Sequence, residues 1–358
     1  MIHRLGKDDH ARALPLAQDA PHHLTLTAAV EGSSPGTIWV DDPQHPHAAL
    51  FATPEGEFLV GRHDKDVSQA FAEFITHELL PGGNTDGWWL CWLHYWPDDW
   101  RPVLQTMLAG HHHVDVHQHY YSFRRPAAQS PGDPPPDYRL QRVDAELLGE
   151  SEGRNVGRIK RYAKSNFGSI SDFLEKGFGL CLMHGPDAVS WCMADCVSGH
   201  RCEVGIHTDP HHRRRGFASL TLAATVEFCL GSGLTDIGWH CWSTNAASAA
   251  TAERVGFERV LDHRAVQIWF READCLLVRA NLALLDGRYG EAAGLYAKAF
   301  ALNAADAKDA SRLLSSPDGQ QMYHYNAACA AALAGGKAAA TEHLAEALDR
   351  TSIRQGAY

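Results

Sequence analysis

The sequence contains no pattern of the kind expected for a membrane span or a secretion signal. No uncharged apolar run approaches the ~20 residues that span a bilayer. Residues 1–9 contain no apolar stretch of the kind found in a signal peptide. These two absences predict a protein that does not enter a membrane and that lies in the cytoplasm.

Positive charge is also scarce. Lys and Arg number 32 against 43 Asp and Glu, which gives a formal net charge of −11 with histidine neutral. This charge repels a phosphate backbone at long range, so the composition disfavours binding to DNA or RNA. Residues 1–130 hold 16 acidic and 8 basic residues together with 14 of the 23 histidines. That asymmetry indicates a separate unit at the start of the chain.

Paired cysteine motifs are missing as well. The nine cysteines are odd in number, scattered between Cys91 and Cys329, and never spaced as CxxC. The spacing argues against a structural zinc motif or a dithiol redox motif. We expect most of these cysteines to be small, reduced core residues.

Domain boundaries follow from length and proline content. A chain of 358 residues predicts two or three globular domains. Five prolines in residues 126–136 exclude helix and central strand and favour a stiff extended linker. The predicted parts are a mixed α and β domain at 1–125, the linker at 126–137, a second α/β domain at 138–272 and a helical segment at 273–358.

The last segment is rich in alanine and contains an internal repeat. Five positions recur at an offset of 48 residues, Ala280, Gly287, Ala292, Tyr296 and Ala299 returning as Ala328, Gly335, Ala340, Leu344 and Ala347. The pattern resembles two tetratricopeptide repeats. Two such repeats cannot cover their own apolar faces, so we expect the segment to dock on the preceding domain, to bind a protein partner or to self-associate.

The second domain contains a strand-turn-helix pattern that suits a phosphate. Residues 179–184, 188–197 and 201–208 predict an antiparallel meander, and a helix over 216–230 and a strand over 236–242 follow. The turn before that helix reads Thr208-Asp-Pro-His-His-Arg-Arg-Arg-Gly-Phe-Ala218. Free N–H groups and the positive dipole end of a helix N-terminus bind pyrophosphate, and arginines add charge-assisted bonds. A solvated basic cap or a nucleic-acid patch is the alternative reading of the same residues.

The motif Arg213-x-x-Gly216-x-Ala218 after a strand, with Asn245 and Gly256-Phe257 downstream, resembles the GNAT superfamily of acetyl-CoA-dependent N-acetyltransferases over residues 138–270. The resemblance implies an α/β (mixed α+β) acyl-CoA N-acyltransferase fold in which acetyl-CoA enters between two splayed parallel strands, here 201–208 and 236–242. Residues 239–257 are most similar to zwittermicin A resistance acetyltransferases, whose N-terminal half looks like a degenerate second copy of the fold. Residues 1–130 have no matching Arg-x-x-Gly pattern of their own.

Carried over position by position, the resemblance implies a site for acetyl-CoA as co-substrate. Main-chain groups of Ile206 and Thr208 would bind the pantetheine, and Asn245 and Ser248 would touch the cofactor. The pyrophosphate would lie against a run of seven residues, namely Arg213, Arg214, Arg215, Gly216, Phe217, Ala218 and Ser219. No metal is expected.

The implied reaction is direct attack of an amine on the thioester, which needs a base for the amine and a donor for the oxyanion. A backbone N–H near Ile206 can be that donor. Glu203 is the candidate base, with a solvent-facing strand glutamate as the alternative reading. Many relatives have a tyrosine four residues before the Gly-Phe pair, where this chain has Ala252. His240 is therefore the candidate acid, with Ser243 and His207 as alternatives, although each can be purely structural.

A histidine-rich run at 111–119 allows a metal site but does not require one. An extended strand would place His113, Asp115, His117 and His119 on one face. Alternate side chains stand ~6.6–7 Å apart, too far for four of them to meet one tetrahedral ion unaided. We expect a polar outer face or the wall of a cleft.

The sequence thus predicts an enzyme that acetylates a primary amine of a small molecule, with the acidic first domain attracting a cationic acceptor. A catalytically weak CoA-binding regulator on the same scaffold is one alternative, suggested by Ala252 and the repeats. A protein N-acetyltransferase whose helical segment recruits a peptide is the other.

Overall fold

The computed structural model of the chain describes residues 1–85, 87–124, 132–149, 153–305 and 310–355, so positions 126–131 of the predicted linker lie outside it. Twelve strands in the described residues belong to one mixed sheet. They are β1 (His3–Arg4), β2 (Thr37–Val40), β3 (Ala48–Thr53), β4 (Gly56–Gly61), β5 (Leu90–Trp96), β6 (His112–Phe123), β7 (Tyr138–Arg142), β8 (Gly179–His184), β9 (Asp187–Ser198), β10 (Arg201–Thr208), β11 (Asp236–Trp242) and β12 (Phe257–Trp269).

Fourteen α-helices lie in the same described residues, and a π-helical turn at Ile75–Leu79 joins the third to the fourth. None of them is long and apolar enough to cross a bilayer. The predicted mixed α/β class is confirmed. The helices are α1 (Leu14–Asp19), α2 (Leu24–Glu31), α3 (Lys65–Phe74), α4 (Leu80–Thr85), α5 (Arg101–Met107), α6 (Ala145–Gly149), α7 (Val156–Phe167), α8 (Ile170–Lys176), α9 (Phe217–Gly231), α10 (Ala246–Val255), α11 (Glu272–Leu285), α12 (Tyr289–Ala305), α13 (Pro317–Leu333) and α14 (Lys337–Gln355).

The sheet repeats one connectivity twice. Its strand order is β1-β2-β3-β4-β5-β12-β6-β11-β10-β9-β8-β7. Strands β1 to β4 are antiparallel neighbours and β5 runs parallel to β4. In the same way, β7 to β10 are antiparallel neighbours and β11 runs parallel to β10. β6, from the first half of the chain, pairs with β11 of the second half.

The chain divides into two compact units, each built from several segments. The first unit contains residues 1–72, 93–103 and 116–265, and the second contains 73–92, 104–115 and 266–358. This division is not the one expected from the linker, whose boundaries stay a prediction. The candidate site lies in the first unit.

Strand β9 is buried over most of its length. Residues 188–194 of β9 are all buried, because α2 packs Leu24 and Ala28 against Cys196 while α7 and α9 contribute to the main core. A strand covered on both faces is apolar throughout rather than alternating. β9 therefore supplies a rigid support for the neighbouring strand β10.

Helices α11 to α14 form two hairpins in the second unit. Gly287 and Gly335 occupy the two turns with φ of +75° and +85°, a conformation that favours glycine. The predicted helical segment is confirmed. Within the same unit Cys275 lies 3.7 Å from the carbonyl oxygen of His113, and Arg312 donates to the carbonyl oxygen of Gly87 at 3.0 Å. The hairpins therefore pack on segments from the first 125 residues.

Candidate active site

The parallel strands β10 and β11 separate part-way along their length. Their pairing joins Arg201 to Asp236, Cys202 to Ile237 and Glu203 to Gly238, and goes no further. Beyond Glu203, β10 continues to Thr208 and remains paired with β9. We call the opening between 204–208 of β10 and 239–242 of β11 the wedge. Backbone groups on the wedge side of β10 are available to a ligand.

A β-bulge lies at the point of separation. In the β9–β10 ladder Glu203 pairs with Cys196 and Val204 pairs with Ala194, so Asp195 is the extra residue. A bulge increases local twist and turns the strand away from its neighbour. The bulge in β9 thus coincides with the point at which β10 leaves β11.

A cavity of about 540 Å³ adjoins the wedge. Ten of the eleven predicted cofactor residues line it, and His207 and Arg254 also contribute. The ten are Ile206, Thr208, Arg213, Arg214, Gly216, Phe217, Ala218, Ser219, Asn245 and Ser248. The structure thus brings together residues that the sequence places at one strand end and two helix starts.

Arg215 is the predicted cofactor residue outside this lining. Its guanidinium lies 5.3 Å from the ring centre of Tyr138 and 4.7 Å from that of Phe217. Cation–π contacts of this kind are worth ~0.5–1 kcal/mol at exposed sites. Arg215 therefore packs the turn from outside the cavity.

The start of α9 has the properties of an anion site. Gly216 precedes the helix with φ of +80°, and a Cβ built there would meet no atom within 4 Å. Glycine offers no side chain to the first N–H groups, and the first turn carries no acidic residue. The first amides of a helix have no partner within the helix. These groups and the cavity arginines favour a negatively charged ligand.

A second helix begins at the same cavity. Asn245 precedes α10, and its Oδ1 accepts the N–H of Ser248 at 3.1 Å. The two positive dipole ends, of α9 and α10, therefore reinforce one another at one cavity.

Glu203, the candidate base, is buried rather than facing solvent, so the alternative of a solvated strand glutamate is wrong. It is 3% exposed, and its Oε1 accepts the N–H of Leu24 at 3.1 Å. Its Oε2 lies 3.6 Å from Nδ1 of His240, the candidate acid. The structure brings the two predicted catalytic residues together, at the inner end of the wedge and outside the lining of the 540 Å³ cavity.

Glu55 joins this pair, and sequence reasoning missed it. Glu55 precedes β4, and its buried Oε1 has no hydrogen-bond partner among the described residues. Ligand atoms of Glu55, Glu203 and His240 lie within 4.8 Å of one another. Burial, and then the charges of Glu203 and Asp195, raise the pKa of Glu55 well above its usual value. The raised pKa favours the protonated carboxyl of Glu55, whose hydroxyl can donate to a neighbouring acceptor.

Asp195, the bulge residue, is a second missed group. Its carboxylate accepts from the hydroxyl of Tyr162 and, at 3.1 Å, from Nδ2 of Asn166. Burial raises its pKa to about 6, with the charge of Glu203 acting in the same direction and the Tyr162 hydrogen bond opposing. A Cβ on Gly205 would stand 2.3 Å from Tyr162 Oη, so only glycine leaves room for this contact. Asp195 is a carboxyl whose charge changes near neutral pH.

The other candidate acids are placed differently. His207 lines the cavity and stacks on Trp191 at a ring separation of 4.5 Å, and burial lowers its pKa. Ser243 donates its N–H to the carbonyl oxygen of His117. Ala252, at the position of the missing tyrosine, is fully buried.

The histidine-rich run forms most of strand β6. Val114 and Val116 are buried, whereas Asp115 and His117 are exposed, as the alternation predicts. His119 contacts Asp262 at 2.8 Å. Two groups of side chains in the described part of the chain could hold a metal ion, and neither contains a residue of this run.

Known proteins show the same family and fold. The model of the GNAT acetyltransferase family matches residues 15–265. The uncharacterized N-acetyltransferase YdfB of Bacillus subtilis (strain 168) is 23% identical over 268 residues, which cover 74% of this chain and 97% of YdfB. A GCN5-related N-acetyltransferase-like protein from Streptococcus suis 89/1591 superimposes with a TM-score of 0.55 at 21% identity, covering 73% of this chain and 98% of its own.

A tandem GNAT protein from the clavulanic acid biosynthesis pathway gives a TM-score of 0.53 at 12% identity, covering 75% of this chain and 97% of that one. At these identities the solved structures show the fold alone. The family model, however, spans more than half of the chain. The chain belongs to the GNAT acetyltransferase family and is an acyltransferase with the predicted fold.

Proposed function

We propose that the protein transfers the acetyl group of acetyl-CoA to a primary amine of a small molecule. The observation that carries this proposal is the wedge, which opens onto the helix N-termini on one side and ends at the buried Glu203–His240 pair on the other. One end suits the pyrophosphate and the other suits proton transfer. The thioester would lie between them.

In the proposed complex the backbone of β10 at Ile206 and Thr208 holds the pantetheine. The N–H groups at the start of α9 hold the pyrophosphate, with Arg213 and Arg214 adding charge. Asn245 and Ser248 bound the same cavity from α10. Arg215 stabilises the turn before α9 by packing on the rings of Tyr138 and Phe217.

The proposed reaction is a direct transfer. The neutral amine nitrogen attacks the thioester carbonyl carbon, the C–S bond breaks, and the CoA thiolate leaves and takes up a proton. Glu203, directly or through water, takes the proton that the substrate ammonium must lose before its nitrogen can attack. His240, 3.6 Å from Glu203, is placed to supply a proton to the thiolate, the role for which Ala252 has no group.

The acceptor is proposed to be cationic. Glu55, Glu203 and Asp195 are three neighbouring carboxyl groups, and the charge of Glu203 acts to raise the pKa values of both Glu55 and Asp195. A bound ammonium would relieve this repulsion, because an opposite charge stabilises ionised carboxylates. The charge of −8 over residues 1–130 adds long-range attraction.

Incubation of the purified chain with acetyl-CoA and a panel of amines, followed by thiol release, tests the proposal. The panel should contain polyamines, amino sugars, amino acids and a lysine peptide. We expect turnover with one class of small amine. Turnover with the peptide alone would favour a protein N-acetyltransferase, and CoA binding without turnover would favour a regulator.

We also propose that the first half of the chain is a degenerate copy of the fold. The strand connectivity of β1 to β5 matches that of β7 to β11, and a solved neighbour is described as a tandem GNAT protein. The repeats in α11 to α14 support a tetratricopeptide-like segment for packing or for a protein partner, since α14 begins 48 residues after α12. The nine free cysteines, eight of them buried, support a reducing compartment such as the cytoplasm.

A further inference from the structure

Five histidines meet inside the first unit, although they come from distant parts of the sequence. Two of them precede α2, and the others lie on β5, β11 and β12. Their ring centres form a continuous group with His23 and His263 at its middle, 4.6 Å apart. The members are His22, His23, His94, His240 and His263.

Three of these side chains are deeply buried and carry ring nitrogens that no described residue satisfies. His22, His23 and His263 are 4%, 2% and 3% exposed. Nε2 of each, and also Nδ1 of His263, has no hydrogen-bond partner in the described residues. Buried polar atoms in folded proteins are almost always paired, and an unpaired one needs an explanation such as an ordered water or an ion. Because the three residues are neighbours, a single bound ion would satisfy a ring nitrogen of each of them.

The nitrogen atoms are spaced for a shared ligand. One ring nitrogen of each of the three residues lies within 4.8 Å of those of the other two. A tetrahedral zinc ion with bonds of ~2.0–2.1 Å requires its ligand atoms to stand ~3.3–3.4 Å apart. A bound ion would have to draw the three nitrogens together by rotation of the side chains. The surrounding rings, Trp96 beside His22 and Phe58 beside His23, make the site apolar.

We propose that His22, His23 and His263 form a three-histidine site for a divalent transition metal ion, with Zn²⁺ as the occupant. An all-imidazole ligand set suits zinc, copper and nickel, and does not suit magnesium or calcium, which take oxygen ligands. The ion ties the turn before α2 to strand β12. The ligands lie outside the cofactor cavity, and the rings of His23 and His263 stand 5.5 Å and 5.3 Å from that of His240.

The experiment is a metal titration of the full-length protein after chelation and desalting. Bound zinc is counted by elemental analysis, and Co²⁺ replaces it for absorption spectroscopy. We expect one ion per chain and the intense d–d bands of a four-coordinate site with nitrogen ligands. His22→Gln and His263→Gln should lose the bound equivalent, whereas His117→Gln on the exposed face of β6 should keep it. The His117 variant is the matched control because it lies in the histidine-rich run.

Three results would overturn the proposal: a chelated protein that binds no Zn²⁺ or Co²⁺, an ion retained by folded His22→Gln and His263→Gln chains, or an ion lost from His117→Gln. If the two ligand variants fail to fold, wild-type protein still decides the question. Zinc should then raise the thermal midpoint of chelated wild type, and X-ray absorption should count three imidazole ligands. A midpoint without a shift, or fewer than three imidazoles, contradicts the site.

Discussion

The two halves of the sheet share one connectivity and differ in how their parallel strands end. In the first half, β4 and β5 stay paired from Glu57 and Leu93 to Val60 and Trp96, the last residue of β5. In the second half, pairing stops at Glu203, with five residues of β10 still to come. The same fold therefore gives a closed strand pair in one half and a wedge in the other.

The helices that follow β4 and β10 also differ, because a side chain caps the first N–H groups of α3 but not those of α9. Before α3, the side chain of Asp64 accepts the N–H groups of Asp66 and Val67, each at 2.9 Å. Before α9, Gly216 leaves the corresponding groups without a side-chain cap. The first helix start is thus capped by a carboxylate, whereas the second is available to an anion. Strand pairing and capping together favour the second half as the place of the proposed acetyl-CoA site.

The largest effect is expected at the inner end of the wedge. Glu203→Gln should lower kcat by roughly 10²- to 10⁴-fold with CoA affinity preserved, because it removes a base but keeps the Oε1 that accepts from Leu24. The measurement is steady-state thiol release over a range of pH. A base requirement predicts partial recovery at high pH, where free amine accumulates.

Glu57→Gln is the matched control for that variant, since Glu57 is a buried glutamate on β4 of the closed pair. It should leave kcat of the folded protein near the wild-type value. A near-normal kcat in Glu203→Gln, or an equal loss in both variants, would remove Glu203 from the proposed mechanism.

The second effect concerns the anion site. Gly216→Asp should weaken CoA binding by roughly 10- to 100-fold, because it places a carboxylate at the open helix start. Gly216→Asn is the control, since it has nearly the same shape without the charge and tolerates a positive φ. The readout is the rise in thermal midpoint on adding CoA. Equal shifts in the two variants would argue against a phosphate at this position.

The third effect is a change in the pH dependence of stability. The folded-state pKa of Asp195 is raised to about 6, so the folded protein binds more protons than the unfolded chain between about pH 4 and pH 6. The contribution of Asp195 to the free energy of unfolding should therefore fall as pH rises through that window. Asp195→Asn should flatten this part of the curve. Denaturation series at several pH values measure it, and an unchanged slope would contradict the raised pKa.

The wedge and its cavity could be predicted because their determinants are local in sequence. A strand end, Gly216 and the start of a helix follow one another, and backbone geometry then fixes where their amides point. Burial of Glu203 was not predictable in the same way, since a one-residue change of register would have turned it to solvent. Its contact with Leu24 comes from a helix of the other half.

Residues that meet only through long-range packing left no signal in the sequence. Glu55 looks like an ordinary turn residue after Pro54, and Asp195 reads as one polar position in an apolar strand. His22 and His23 form an unremarkable dipeptide, while the conspicuous run at 111–119 lies along one strand. The pairing of β6 with β11 was also beyond prediction. Alternation of apolar and polar residues identifies a strand, but it does not show which other strand pairs with it.

The smallest effect tests whether capping alone separates the two halves. Asp64→Ala should lower the free energy of unfolding by about 1 kcal/mol, the usual loss for an N-terminal cap, and the thermal midpoint by about 2–4 °C. The variant should gain no second CoA site, because β4 and β5 remain paired to the end of β5 and offer no backbone edge to a pantetheine. Calorimetric titration with CoA measures the stoichiometry, which should stay the same in Asp64→Ala and wild type. One additional equivalent in the variant would show that the cap, and not the strand pairing, keeps the first half from binding the cofactor.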